Sequence, residues 1–353
     1  MSQEDMLGAL RRLVEAESFS EDPEGVSRCA AVIDELCREV LGSPPEPRGV
    51  HLAWTRPGDR PVLLLCHFDT VWPPGTLETF PFTVQDGIAR GPGAFDMKAG
   101  IVQALHAVRQ AAAGPLTVLF TADEEIGSPT SRALIEQEAG RSRAVLVMEP
   151  AAGRKVKVAR KGIAQWRVDI AGRAAHAGLA PEAGVNAIEE LAHLIIRIGE
   201  LARPADGTTV TVTMAGGGSA GNVVPEAAWA VFDARMWTDE EADRLELELH
   251  SLTPALDGAE LRVTGGVNRG PLEREASEPL YRRLVDLGYD VGAAEVGGAS
   301  DGNFTAALGV PTLDGLGPVG GGAHARDEHV VVEAMPVRAE MVARLIDDLL
   351  ADG

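Results

Sequence analysis

The chain has 353 residues, 45% of them apolar and 24% charged, and a formal net charge of −21. That length exceeds the ~250–300 residues at which single cores stop growing, so two domains are expected. The negative balance argues against nucleic acid or an anionic membrane surface as partner.

Cys29, Cys37 and Cys66 are odd in number and lack CxxC spacing, which fits a reducing compartment. The acidic start, Met1-Ser-Gln-Glu-Asp, is not followed by a signal-type apolar core, and no apolar run approaches the ~20 residues that span a bilayer. A cytoplasmic location without membrane contact is expected.

Apolar spacing predicts helices over residues 6–17 and 25–41, then a Pro/Gly-rich connection. Residues 50–55 alternate like a half-exposed strand, and 61–66 are continuously apolar, as a central strand would be, with His67-Phe-Asp-Thr70 at its carboxyl end. An irregular loop with three prolines (71–82) and a helix over 97–113 follow. Residues 115–121 read as another buried strand, ending at Glu124 and Glu125. Adjacent carboxylates resist joint ionisation, so a metal ion is one way to compensate them; an acidic loop in an acidic protein is the plainer reading. A helix near 131–138 and a buried strand over 144–148, ended by Glu149, complete the first part.

Strands alternating with helices imply βαβ units and a mostly parallel sheet, with helices on both faces and ligands outside the strands' carboxyl ends. His67, Glu124, Glu125 and Glu149 all fall at such ends. From about residue 161 the pattern becomes alternating strands (162–171, 208–215, 227–237, 261–267) interleaved with helices (185–201, 239–252). This βαββαβ order suits an α+β domain inserted into an α/β one. The expected domains are 1–160 and 273–353, forming the catalytic domain, with 161–272 inserted as a lid or dimerisation domain. The second catalytic part carries a helix over 279–287, the loop 297–302 and a C-terminal helix over 333–350.

His67, Asp96, Glu125, Glu149 and His324 together offer two imidazoles and three carboxylates. Two divalent ions sharing one carboxylate would use that set fully. Asp69, two residues after His67, has the chemistry to accept the second N–H of that ring.

Cys66-His-Phe-Asp-Thr-Val71, Gly91-Pro-Gly-Ala-Phe-Asp-Met-Lys98, Ala122-Asp-Glu-Glu-Ile-Gly127, Val147-Met-Glu-Pro150 and Gly322-Ala-His324 occur in that order. They resemble the motifs of the co-catalytic zinc exopeptidases and deacylases, which include carboxypeptidase G, acetylornithine deacetylase, succinyl-diaminopimelate desuccinylase and the aminoacylases. The stretches 172–181 and 184–187 look most like the glutamate carboxypeptidase branch.

The resemblance implies that Asp96 bridges two ions, one completed by His67 and Glu149 and the other by Glu125 and His324. The ions would be zinc, with cobalt or manganese also suited to these ligands. By the same resemblance Glu124 is the general base and a cis peptide follows Asp96; Asp69, from its chemistry, is expected to support catalysis through His67. His176 would reach the partner subunit's site in a homodimer formed through the inserted domain. Asn222 and Arg235 would grip a substrate carboxylate, although Arg235 could instead pair with Asp233 on its own strand. Asp301 could shape the pocket or simply lie in a turn, and His51, His106, His193, His250 and His329 have no motif role.

The implied function is hydrolysis of an amide bond in a small peptide or N-acyl amino acid bearing a free carboxylate, by metal-activated water. The alternatives are an N-acyl amino acid deacylase, an aminopeptidase if an acidic anchor replaced Arg235, and a non-catalytic metal-binding scaffold.

Overall fold

The computed structural model describes residues 2–351; Met1, at the start of the acidic stretch noted above, lies outside them, as do Asp352 and Gly353. The chain divides into two compact units. One comprises the chain up to Ala159, Leu272–Val296 and the chain from Ser300; the other comprises Arg160–Pro271 and Gly297–Ala299.

The first unit is built on a six-stranded sheet. Val62–His67 lies at its centre, parallel to both Leu116–Thr121 and Ala144–Val147, and Thr312–Leu313 extends the parallel part. The other edge is an antiparallel hairpin, Glu46–Arg48 with His51–Arg56. Strand residues alternate between two apolar layers. Leu64, Cys66, Val118, Phe120 and Leu146 pack with the helices Gln3–Glu15, Pro23–Leu41, Ala99–Gln110 and Ala334–Ala351. Leu63, Leu65, Leu119, Val145 and Val147 pack on the opposite side with Ile135, Ala139 and Phe304. Burial on both faces is why these strands read as unbroken apolar runs.

Local chemistry sets several boundaries. The first helix starts at Gln3 rather than residue 6, because Ser2 and Asp5 form a reciprocal capping box. Asp22 and Pro23 open the second, and Gly42, at φ +81°, closes it. The helix expected from residue 279 instead runs Arg274–Asp286 with Pro279 inside it. Proline normally marks a first turn, but here Ser277 Oγ donates to the Thr312 carbonyl (2.7 Å) and anchors an additional turn ahead of it. A small antiparallel sheet not anticipated from sequence joins Thr83–Gln85, Ile88–Arg90, His329–Val331 and Gly320–Gly321. Its strands have two or three residues, too few for a period to show. No helix among the described residues is long and apolar enough to cross a membrane.

The second unit has the order strand, helix, strand, strand, helix, strand: Gly162–Ala171, Ala187–Gly199, Thr209–Gly217, Ala227–Met236, Asp239–His250 and Glu260–Arg269. Its four strands are antiparallel, with Gly162–Ala171 and Ala227–Met236 central and Thr209–Gly217 at one edge. Ala164, Trp166, Val168, Ile170 and Phe232 on one face bury against Leu191, Leu194, Ile198, Leu245 and Leu249 of the two helices.

His106, on the helix Ala99–Gln110, is buried and its Nε2 has no hydrogen-bond partner. Burial pushes its pKa down to about 4. The ring is neutral when folded, whereas the unfolded chain takes up a proton below about pH 6.5. Its share of stability is therefore complete above that pH and is lost as pH falls toward 4, by about 2–3 kcal/mol at most. We expect His106→Leu to flatten the pH dependence of urea unfolding between pH 4 and 6.5; parallel curves for variant and wild type would refute this.

Candidate metal centre

Each residue with ligand chemistry is placed by a short, well-defined piece of backbone. His67 closes the central strand, and Glu125 lies in the single 3-10 turn Glu124–Ile126 beyond Leu116–Thr121. Glu149 follows Ala144–Val147 by two residues. Asp96 sits in the wide turn Ala94–Lys98, and the Asp96–Met97 peptide is cis. His324 occupies the turn between Gly320–Gly321 and His329–Val331, at φ +61°. That conformation is uncommon for a residue other than glycine.

These five side chains converge. His67 Nε2 lies 3.3 Å from Asp96 Oδ1 and 3.3 Å from Glu149 Oε1. His324 Nε2 lies 3.4 Å from Asp96 Oδ2 and 3.1 Å from Glu125 Oε2. Asp96 thus stands between two imidazoles with one oxygen toward each, and each imidazole has a carboxylate of its own. Donor atoms of His67, Asp96 and Glu125 all lie within 4.8 Å of one another.

The charges explain the titration behaviour. Burial opposes a charge on His67, but Asp69, Asp96 and Glu149 together outweigh it and raise its pKa well above the usual value. Asp96 and Glu125 raise His324 to about 10. Burial opposes ionisation of Asp96 too, yet the two imidazoles hold its carboxyl well below the ordinary range. Burial pushes Glu125 up despite His324. Three carboxylates against two rings remain net negative even with both rings protonated, and Glu125 Oε1 is buried without a hydrogen-bond partner. A mixed imidazole–carboxylate set with an orphaned carboxylate oxygen fits divalent cations.

Asp69, wholly buried, organises the surroundings. His67 Nδ1 faces its backbone carbonyl at 3.1 Å and its Oδ1 at 3.4 Å. Its carboxylate also accepts the amides of Glu124 (3.2 Å) and Glu125 (3.1 Å) and the Ser20 hydroxyl (2.7 Å). One side chain therefore sets both the His67 ring and the Glu124–Glu125 turn. Asp301, also buried, accepts from Thr121 Oγ1 (3.2 Å) and pairs with Ser128 Oγ, bracing that turn from behind.

Sequence reading missed four supports. Ser20 reaches Asp69 across nearly fifty residues. Lys157 Nζ lies 4.0 Å from Glu149 Oε2. His51 Nδ1 accepts the Ala122 amide (3.2 Å) while its Nε2 meets Thr130 Oγ1 (3.0 Å), which in turn donates to Asp123 (2.7 Å). Glu328 receives the backbone of the turn that carries Asp96. Only the charge of Lys157 and Glu328 hinted at a role, and in so charged a chain that signal is diluted.

His176, Asn222 and Arg235 belong to the second unit. The exposed His176 accepts the amides of Gly178 (3.1 Å) and Leu179 (3.2 Å) at Nδ1, which leaves Nε2 as the protonated nitrogen. The Asn222 carbonyl accepts the Ala177 amide at 3.0 Å, tying its segment to the His176 turn. Arg235 is engaged side-on by Asp233, with Nε–Oδ1 2.9 Å and Nη2–Oδ2 3.0 Å.

A parallel sheet whose strand ends gather imidazoles and carboxylates, in a chain that also carries a compact α+β unit, places the protein in the class of α/β proteins with a candidate divalent-cation centre. Within it, the chain belongs to peptidase family M20/M25/M40, whose sequence profile matches residues 63–348. It is 36% identical over 312 residues to carboxypeptidase G2 of Pseudomonas sp. (strain RS-16), covering 83% of this chain and 74% of that protein. Succinyl-diaminopimelate desuccinylase of Dechloromonas aromatica (strain RCB) is 28% identical over 372 residues, 91% of this chain and 96% of that one. The fold matches the crystal structure of aminopeptidase PepT from Bacillus cereus ATCC 10987 with a TM-score of 0.76 at 22% identity, over 99% of both chains.

Proposed function

We propose that the protein hydrolyses an amide bond in a small peptide or N-acyl amino acid bearing a free carboxylate, in the manner of a glutamate carboxypeptidase. The observation that carries this reading is Asp96 presenting one oxygen to each of two imidazoles, each backed by its own carboxylate. Two divalent ions, zinc by preference, would be held by His67 and Glu149 on one side and by Glu125 and His324 on the other, with Asp96 shared. When bound they supply Lewis-acid charge and lower the pKa of water to near 7.

The chain's own groups divide the remaining work. Glu124, beside the ligand Glu125, takes the proton of the attacking water at its carboxylate and returns it to the leaving amine. Asp69 fixes that turn and the His67 ring. His176 offers an Nε2–H suited to stabilising an oxyanion, and we assign it to the partner subunit's reaction centre in a homodimer formed through the inserted unit. The nine-residue edge strand Thr209–Gly217 is consistent with such pairing. Asp233 takes one edge of the Arg235 fork, and the end-on edge is left for a substrate carboxylate, with Asn222 assisting.

The desuccinylase relatives support a second reading, deacylation of N-acyl amino acids at the same centre. A panel of folyl- and peptidyl-glutamates against N-acetyl and N-succinyl amino acids, run on zinc-loaded protein with and without chelator, tests both. We expect chelator-sensitive hydrolysis with higher kcat/KM for the glutamates. Faster turnover of the acyl substrates would install the deacylase, and zinc binding without hydrolysis of any would leave a metal-binding scaffold.

A further inference from the structure

The turn that carries Asp96 is anchored on a residue outside every motif noted in the sequence. Glu328 is fully buried, and its carboxylate is saturated by four N–H donors. Oε1 accepts the amides of Phe95 (2.9 Å) and Asp96 (3.1 Å); Oε2 accepts the Gly93 amide (3.0 Å) and Trp72 Nε1 (2.8 Å). No cationic side chain forms an ion pair with it among the described residues. Converging backbone N–H groups make an anion-binding concavity, and here the anion comes from the chain itself. Gly93 sits at φ +71°, where a Cβ would fall 2.4 Å from Thr70 Cγ2, so this backbone shape needs glycine. Glu328 also lies four residues beyond His324, in the segment entering His329–Val331, which pairs with Ile88–Arg90. One carboxylate therefore ties the turn holding His324 to the turn holding Asp96, and both to Trp72.

Resting on the reading of Asp96 as the shared metal ligand, we infer that Glu328 is the positioning residue of the metal centre, presetting Asp96 between the two imidazoles before any ion arrives. It touches neither ion nor substrate, and acts through the Asp96 backbone. Outer partners of this kind typically change metal affinity or activity about 10–100-fold when removed.

Glu328→Gln is the discriminating substitution, because it keeps the shape but turns one acceptor oxygen into an NH2 group facing two N–H donors. We expect the folded variant to bind zinc about 10–100-fold more weakly in competition with a chromogenic chelator. The visible spectrum of its cobalt form should shift, and kcat should fall with little change in KM. Trp72→Phe removes one opposing donor, so the E328Q/W72F double variant should bind zinc more tightly than E328Q alone. If E328Q loses only thermal stability while zinc affinity, cobalt spectrum and kcat match wild type, Glu328 is a structural carboxylate and the inference falls. A wild-type protein that binds no zinc would instead overturn the underlying reading of the centre. Should E328Q not fold, amide exchange in the metal-free wild type decides. Protection of Phe95 and Asp96 before zinc is added supports presetting, and protection that appears only with zinc refutes it.

Discussion

Replacing Glu124 by glutamine is expected to lower kcat about 10³-fold, within the range that positioned general bases contribute, while zinc content and melting temperature stay at wild-type values. Glutamine preserves the volume and the backbone amide held by Asp69 Oδ1, which anchors the turn Glu124–Ile126. What it removes is an oxygen able to take a proton from water and hand it to the leaving nitrogen. The neighbouring Glu125 cannot substitute, because it is directed at His324 at 3.1 Å. Metal analysis alongside steady-state kinetics checks the prediction. Retained turnover would mean that the base lies elsewhere, and lost zinc would make Glu124 a ligand.

Much of this centre was legible because of how a doubly covered parallel sheet is written in sequence. Strands buried on both faces appear as short apolar runs, and the polar residue that ends each run sits at the sheet's carboxyl edge. That rule alone brings His67, Glu124, Glu125 and Glu149 to one place. It does not reach Asp96 or His324, which lie on irregular loops and joined the set through their ligand chemistry and the motifs around them. The second unit was equally readable, since a sheet with one solvated face alternates, as Ala164, Trp166 and Val168 do against Gln165 and Arg167.

The supports stayed hidden for a physical reason. Glu328 follows Arg326 and Asp327 and looks like part of a solvated acidic turn, yet it is fully buried. Its burial depends on the three-residue strand His329–Val331 pairing with Ile88–Arg90, a contact spanning more than two hundred residues. Ser20 and His51 are similar: each is an ordinary polar residue until the tertiary fold brings Asp69 or Ala122 within hydrogen-bond reach. Arg235 shows the converse. Its sequence allowed either a substrate clamp or a pair with Asp233, and the side-on pair leaves room for both.

Asp96→Ala should have a different signature from Glu124→Gln, and the contrast separates holding the ions from using them. Asp96 places one carboxylate oxygen 3.3 Å from His67 Nε2 and the other 3.4 Å from His324 Nε2, so its loss opens both halves of the cluster together. A ligand that binds only the folded state stabilises it by RT ln(1 + [L]/Kd), about 2.7 kcal/mol at a hundredfold excess over Kd. Wild type and E124Q should show a melting temperature that climbs with added zinc. D96A should stay flat over the same range, with turnover at least about 10³-fold down, comparable to losing the base outright. The metal-free variant should also be less stable than metal-free wild type at neutral pH. Asp96 is ionised and favourably placed between two imidazoles in the folded protein, and its pKa there lies below the unfolded value. That contribution is present above about pH 4 and disappears as pH falls through the lower, folded value. Thermal melts of D96A and wild type with and without zinc, at neutral and acidic pH, measure both effects. A D96A protein whose melting temperature still rose with zinc as wild type does would place the ions elsewhere, and the shared-ligand arrangement would have to be abandoned.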